Sequence, residues 1–262
     1  MSDTISIMTE ARKQQLHEAA TLLINARRNH APIADLPAAL APASLDEAYL
    51  IQDAIAAAFG PIGGWKIGAG SLEATPPFAP MPLAWFFADG AALSGPRFRY
   101  RVLEAEIAFL LGKDLPARAT PYTREEVVAA IASCHPIIEE LESGLIDPKA
   151  VAPFTSSADL QMNGAFIYGP AIANWQSIDF HTETVALTVD GKVEVQRTGS
   201  NTSGDLMRLL PYIANEASSR TGGLKAGQWI TTGSWTGNTP ARAGSHAEAA
   251  FTHAGRVALR FE

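Results

Sequence analysis

The sequence predicts an α+β fold, helical over residues 1–62 and strand-rich over residues 63–262, on three observations. Leu16, Ala19, Leu23 and Ala26 recur at helical spacing near the start of the chain. From Gly63 onward, short apolar runs are separated by Gly, Pro and Asp, with only two convincing helical stretches. Asp190-Gly191 interrupts two alternating segments between Val185 and Val195, the pattern of a type I′ hairpin.

Taken in order, the first helix ends before the break at Pro32 to Pro42. A second begins at Ser44-Leu45-Asp46-Glu47, a capping box in which each side chain can satisfy the other residue's amide. Ile51, Ile55 and Phe59 form its apolar stripe, and Gly60-Pro61 ends it. A third helix is expected from Thr123, capped with Glu126 and stopped near Pro136, which makes His135 a helix-end residue. A fourth runs from Asp205 through Leu209, Ile213 and Ala217 to Gly222-Gly223. The last segment reads as a hairpin from Ala247 to Thr252 that turns at Ala254-Gly255 and returns with Val257, Leu259 and Phe261 on one face.

With 262 residues, 47% hydrophobic and 18% charged, the chain is long enough for a substantial core and has no disorder signature. A net charge of −7 opposes nucleic acid and anionic membrane surfaces, so neither is expected as a partner. Arg27-Arg28 and the Arg97, Arg99, Arg101 group read as solvated faces. Cys134 is the sole cysteine and no intramolecular disulfide is possible. The start Met1-Ser2-Asp3-Thr4 lacks the features of a signal peptide, and no apolar run approaches a bilayer span, so cytoplasmic residence is the expectation. No strand-helix alternation or Gly-rich phosphate loop suggests a nucleotide site.

Arg101 to Leu111 is the most informative stretch. As a strand it puts Leu103, Ala105, Ile107, Phe109 and Leu111 on one face, and Glu104 and Glu106 on the other, about 7 Å apart at the backbone. As a helix the two glutamates would diverge by roughly 200° and the apolar positions would form no stripe. A half-exposed strand with a charged outer face fits this segment alone. Pro136-Ile137-Ile138-Glu139 adds an acid at the end of a second apolar run, where an unpartnered glutamate is disfavoured. Three carboxylates make a hard, all-oxygen site suited to Mg²⁺, Mn²⁺ or Ca²⁺, and no pair of the six histidines has short zinc-ligand spacing.

The ordered set Gly64-Trp-Lys-Ile-Gly68, Phe87-Ala-Asp89, Glu104-Ala-Glu106-Ile-Ala, Pro136-Ile-Ile-Glu139, Ala158-Asp159 and Thr232-Gly233 resembles the 2-oxopent-4-enoate hydratase and 4-oxalocrotonate decarboxylase branch of the fumarylacetoacetate hydrolase superfamily. The resemblance spans nearly the whole chain, including the N-terminal Ala26-Arg-Arg and Ala48-Tyr-Leu-Ile-Gln52-Asp53. It implies a mixed β-sandwich or β-roll core with an N-terminal helical segment, and Mg²⁺ or Mn²⁺ held by Glu104, Glu106 and Glu139. It further implies Lys66 as carboxylate binder or proton donor, Asp89 as base, and Ser71, Asp159 and Thr232 in contact with substrate. Outside the family context, Lys66 and Asp89 read as a surface lysine and a turn aspartate. The chain departs from the family at Ala69-Gly70-Ser71, where hydratases commonly have Leu-Thr-Ser, and at Ala158 to Met162, where they have Ala-Asp-Asn-Ala-Ser.

The implied activity is hydration of a 2-hydroxydienoate or its 2-oxo-enoate form to a 4-hydroxy-2-oxo acid, as in the meta-cleavage catabolism of aromatic compounds. Its rivals are decarboxylation of a 2-oxo-3-enedioate at the same metal, carbon–carbon hydrolysis of an acylpyruvate, and a non-catalytic partner subunit. The resemblance also implies a homo-oligomer, associated in some systems with a decarboxylase or hydratase partner.

Overall fold

The structure is a computed structural model that describes residues 8–262; the Met1 to Thr4 segment lies outside the described residues. Helices α1 (Glu10–Arg28) and α2 (Leu45–Phe59) form an N-terminal hairpin. Thr9 caps α1 by accepting from the Arg12 amide. The Arg12 guanidinium then grips Glu47 on α2, Nη2 to Oε2 at 2.6 Å. That grip explains why the capping box at α2 is half-formed: Ser44 accepts from the Glu47 amide, while Glu47 turns to Arg12 and the Ala43 amide.

The remaining chain supplies β1 (Ile62–Ile67), β2 (Phe78–Pro82), β3 (Phe86–Ala88), β4 (Ala91–Leu93), β5 (Val102–Leu111), β6 (Leu115–Pro116), α3 (Arg124–Val128) and β7 (Ile131–Leu141). It continues with α4 (Pro153–Ala158), β8 (Asn163–Tyr168), β9 (Thr184–Val189), β10 (Lys192–Thr198), α5 (Leu209–Thr221), β11 (Gly223–Leu224), β12 (Trp229–Thr231), β13 (Thr239–Pro240), β14 (His246–Phe251) and β15 (Gly255–Phe261). The main mixed sheet runs β2-β1-β12-β5-β7-β8-β3, with β13 also on β5; the second runs β10-β9-β14-β15-β4. Leu103, Ala105 and Ile107 of β5 share one apolar core with Val185, Leu187, Ala249 and Leu259 of the second sheet, the expected sandwich. On its other face, Ala108 of β5 joins Met81, Ile137, Phe166 and Trp229 in a smaller apolar cluster, so β5 is buried on both faces and is not the half-exposed strand that its alternation alone allows.

Both predicted hairpins form, and Asp190 and Gly191 take the positive φ values of 52° and 79° that a type I′ turn requires. The capping box at Thr123 also forms, but its helix stops at Val128 and never approaches Pro136. From Ile131 the chain pairs with β5 instead, and this long-range ladder overrides the local helical signal. His135 is consequently a strand residue, bonded through Nδ1 to the Gly169 carbonyl and packed edge-on against Trp229. Pro136 is tolerated inside β7 because its carbonyl, on the side of the missing N–H, faces Gly169 beyond the end of β8.

The helical segment is bound to the rest of the chain by two buried arginines. Arg27 of α1 reaches Asp159 Oδ1 (2.5 Å) and the carbonyls of Glu142, Asp159 and Asn163, and its side chain is 6% exposed. Arg220 of α5 holds Asp53 and Gln52 of α2 at 2.5 and 3.1 Å. The expectation that Arg27 belongs to a solvated face is therefore wrong: a carboxylate far along the chain compensates its charge, a pairing invisible in local sequence.

Candidate metal centre

Strand register brings the site together. On one face of the main sheet, Lys66 of β1 lies beside Thr231 of β12, Thr231 beside Ala108 of β5, and Glu104 of β5 directly opposite Glu139 of β7. Glu106 follows Glu104 by two residues and so shares its face. The three glutamates each offer an oxygen within 4.8 Å of the others. Glu139 is fully buried, Glu106 nearly so, and Glu104 partly.

Such a cluster is electrostatically loaded. Burial, reinforced by repulsion from Glu139 and Glu104, pushes Glu106 well above the usual carboxylate range. Glu104 is raised chiefly by burial, with Lys66 partly offsetting it. Burial acts to lower Lys66, but Glu139, Glu104 and Glu106 together outweigh it and the net shift is upward. The ammonium donates to Glu139 Oε1 (2.7 Å) and to the Gln161 carbonyl (2.9 Å).

A divalent cation fits this donor set. Glu139 Oε1 is satisfied by Lys66 and by Asn163 Nδ2 (2.8 Å), whereas Glu139 Oε2 is buried with no hydrogen-bond partner. A buried carboxylate oxygen without a donor, beside two more carboxylates, is stabilised by a hard cation. Glu106 Oε2 is aimed by the Thr231 hydroxyl and the Gly233 amide. Turned with its amide nitrogen inward, Asn238 donates to Glu104 Oε1 at 3.0 Å.

The other expected site residues do not join this group. Asp89 is exposed in the turn after β3, where its carboxylate accepts from the Ala258 amide; it is a turn aspartate holding β15. Asp159 is buried and spends its carboxylate on Arg27, the Ser143 hydroxyl and the Gly144 amide. It anchors the stretch Leu160-Gln161-Met162, three consecutive residues with φ of 49° to 63°, whose Gln161 carbonyl meets Lys66. Thr232 bonds the Ile107 carbonyl and Ser71 is exposed, its hydroxyl accepting from the Ala74 amide. Sequence reasoning took Thr232 where Thr231 faces the glutamates. Adjacent strand residues point to opposite faces, and only the register against Ala108 tells which threonine faces inward. Asn163 and Gln161 were missed as well, since neither follows a recognisable motif.

Residues 69–262 match the model of the fumarylacetoacetate (FAA) hydrolase C-terminal domain. The chain is 25% identical over 260 residues to 2-keto-4-pentenoate hydratase of Paraburkholderia xenovorans (strain LB400), covering 95% of this chain and 96% of that one. It is 29% identical over 182 residues to 2-hydroxyhexa-2,4-dienoate hydratase of Comamonas testosteroni, covering 67% of this chain and 66% of that protein. In fold it is similar to 4-oxalocrotonate decarboxylase from Pseudomonas putida G7 complexed with magnesium and adipate, with a TM-score of 0.82 and 23% identity over 95% of this chain and 98% of that one. The family match takes in most of the chain, β5 and β7 with their three glutamates included, and the chain belongs to the fumarylacetoacetate hydrolase family.

Proposed function

We propose that the protein is a divalent-metal-dependent hydro-lyase that adds water to a 2-oxo-enoate, formed from its 2-hydroxydienoate, and yields a 4-hydroxy-2-oxo acid. The observation that carries this reading is the convergence of Glu104, Glu106 and Glu139 with Lys66 on one buried face. The named hydratase relatives support the substrate class and a place in the breakdown of aromatic compounds. The three glutamates would hold Mg²⁺ or Mn²⁺, which when bound supplies a Lewis acid that polarises a 2-oxo group and favours proton loss beside it. Lys66 carries a proton at Nζ on the same face, where it can neutralise a substrate carboxylate or deliver that proton to carbon. Thr231 and the Gly233 amide fix the orientation of Glu106, and Asn163 that of Glu139. Asp89, exposed in its turn and engaged with the Ala258 amide, is assigned no part in the chemistry.

Water addition is favoured over carbon–carbon hydrolysis because no histidine joins the carboxylate group among the described residues. The one His–Glu ion pair among them, His253 with Glu183, sits at the turn between β14 and β15, where Glu183 also caps the amides of His253 and Ala254. The same reading takes the protein as a cytoplasmic homo-oligomer acting on a small 2-oxo acid. A turnover screen of several 2-hydroxydienoates and 2-oxo-3-enedioates with Mg²⁺ and Mn²⁺, with products identified by NMR, tests it. Formation of a 4-hydroxy-2-oxo acid is expected. Release of CO₂ from an enedioate without hydration would replace the hydratase reading by the decarboxylase one.

A further inference from the structure

We propose that the cleft between α1 and the segment around Arg97 is a second ligand site, built for a small, flat organic dicarboxylate. The inference is independent of the hydratase reading. The cleft encloses about 310 Å³ and is lined by Arg27, Arg28, Arg97, Arg99, Phe59 and Trp85 among others, while none of Lys66, Glu104, Glu106 or Glu139 borders it. Its size falls at the lower end of the range for small organic ligands.

Charge selects the ligand. Arg27 is paired with Asp159, and Arg99 faces Glu142 at 3.4 Å. Arg28 and Arg97 instead donate hydrogen bonds to main-chain carbonyls, Ala58 at 2.7 Å and Gly164 at 2.5 Å respectively. Among the described residues, no carboxylate lies within ion-pair distance of either guanidinium. Four arginines less the two acids paired with them leave two positive charges facing one cavity. Burial depresses Arg97, the behaviour of a charge short of a counter-ion. Glu140, the acid that acts on it most, is fully buried and pushed up by that burial, and it does not line the cleft.

Shape narrows the class further. Phe59 and Trp85 pack at 5.1 Å between ring centres, and the guanidiniums of Arg27 and Arg97 lie over the Trp85 ring at 5.3 and 5.2 Å. Arg28 lies over Phe59 at 5.5 Å. Stacking on rings holds these cations in place before any ligand arrives, which lowers the ordering cost of binding. Planar guanidinium forks suit carboxylates, and ring walls suit an unsaturated body. A free phosphate ion would meet the charge requirement and leave the aromatic wall uncovered.

The test uses benzene-1,3-dicarboxylate with the full-length protein kept metal-free by chelation, so that the ligand cannot be reporting on the glutamate cluster. Titration calorimetry and tryptophan fluorescence should both show saturable binding of one molecule per chain. Arg28→Gln and Arg97→Gln should each weaken it about tenfold or more, and benzoate, with one carboxylate, should bind about tenfold more weakly than the dicarboxylate. Arg28 is exposed, so its variant keeps the test valid even if Arg97→Gln fails to fold. The proposal is overturned by an absence of saturable binding, by binding that Arg28→Gln leaves unchanged, or by inorganic phosphate binding as tightly. It is equally overturned if Arg28→Gln alters only self-association of the chain, which would make the cleft a contact between copies.

Discussion

Glu104 and Glu139 face one another directly across β5 and β7, two carboxylates as nearest cross-strand neighbours on an inward face of the sheet. Like charges in that relation oppose pairing, yet here the strands pair along their whole length. A cation between them removes the conflict. Mg²⁺ or Mn²⁺ is therefore expected to raise the melting temperature of chelated protein and to restore an activity that chelation abolishes. Glu104→Gln and Glu106→Gln should lose metal affinity while remaining folded, because removing a like charge from the empty site offsets the lost ligand. Full turnover by exhaustively metal-free enzyme would remove the central claim.

The cluster also sets a pH dependence. Glu104 and Glu106 titrate above their unfolded values, mainly through burial, so their protonated forms favour the metal-free fold. That contribution is fully present below the unfolded value of about 4.3 and is lost as pH rises through the raised folded values. Cation binding needs the deprotonated forms and gains with pH. The melting-temperature difference between loaded and chelated protein should thus grow from about pH 5 to about pH 8. Scanning fluorimetry over that range checks it, and a difference that shrinks with pH would contradict it.

Lys66→Met separates chemistry from metal binding. The variant should keep its cation, measured by metal content after gel filtration, and lose about a hundredfold or more in kcat/KM. Without metal it leaves Glu139 buried with one donor fewer, and should be destabilised by about 3 kcal/mol. Near-normal turnover in this variant would return Lys66 to a purely structural role.

Asp159→Asn tests whether Asp159 serves to anchor Arg27 or to meet substrate. With Arg27 losing its buried carboxylate partner, the variant should be destabilised by about 3–5 kcal/mol in denaturant titration. If stability is unaltered while KM alone rises, Asp159 contacts substrate after all.

Between water addition and carbon–carbon cleavage, a single metal-loaded preparation can decide. Dienoate hydration should proceed, and acylpyruvate should be left intact. Pyruvate appearing from an acylpyruvate faster than hydration proceeds would favour the hydrolase and leave the metal site standing.

What could be read in advance followed from short-range rules. Alternation along β5 located Glu104 and Glu106, and the two capping boxes and Asp190-Gly191 marked real starts and turns. The apolar run before it marked Glu139 as a third carboxylate, whereas resemblance, rather than spacing, assigned the role of Lys66. What failed depended on distant partners. Thr231 and Thr232 differ only in the face they present, the fate of residues 129–136 was decided by β5, and Arg27 looked like a surface residue until Asp159 was placed against it.

The Arg27 ion pair has a further consequence for how the gene product tolerates interruption. Residues 29–44 between α1 and α2 carry several exposed positions, whereas α1 itself is held by Leu16, Leu23 and the Arg27–Asp159 lock. A backbone cut in that connection severs the polymer without releasing the piece. The nicked fragments should co-elute under native conditions and separate in denaturant, making this connection a place to divide the chain for fragment complementation.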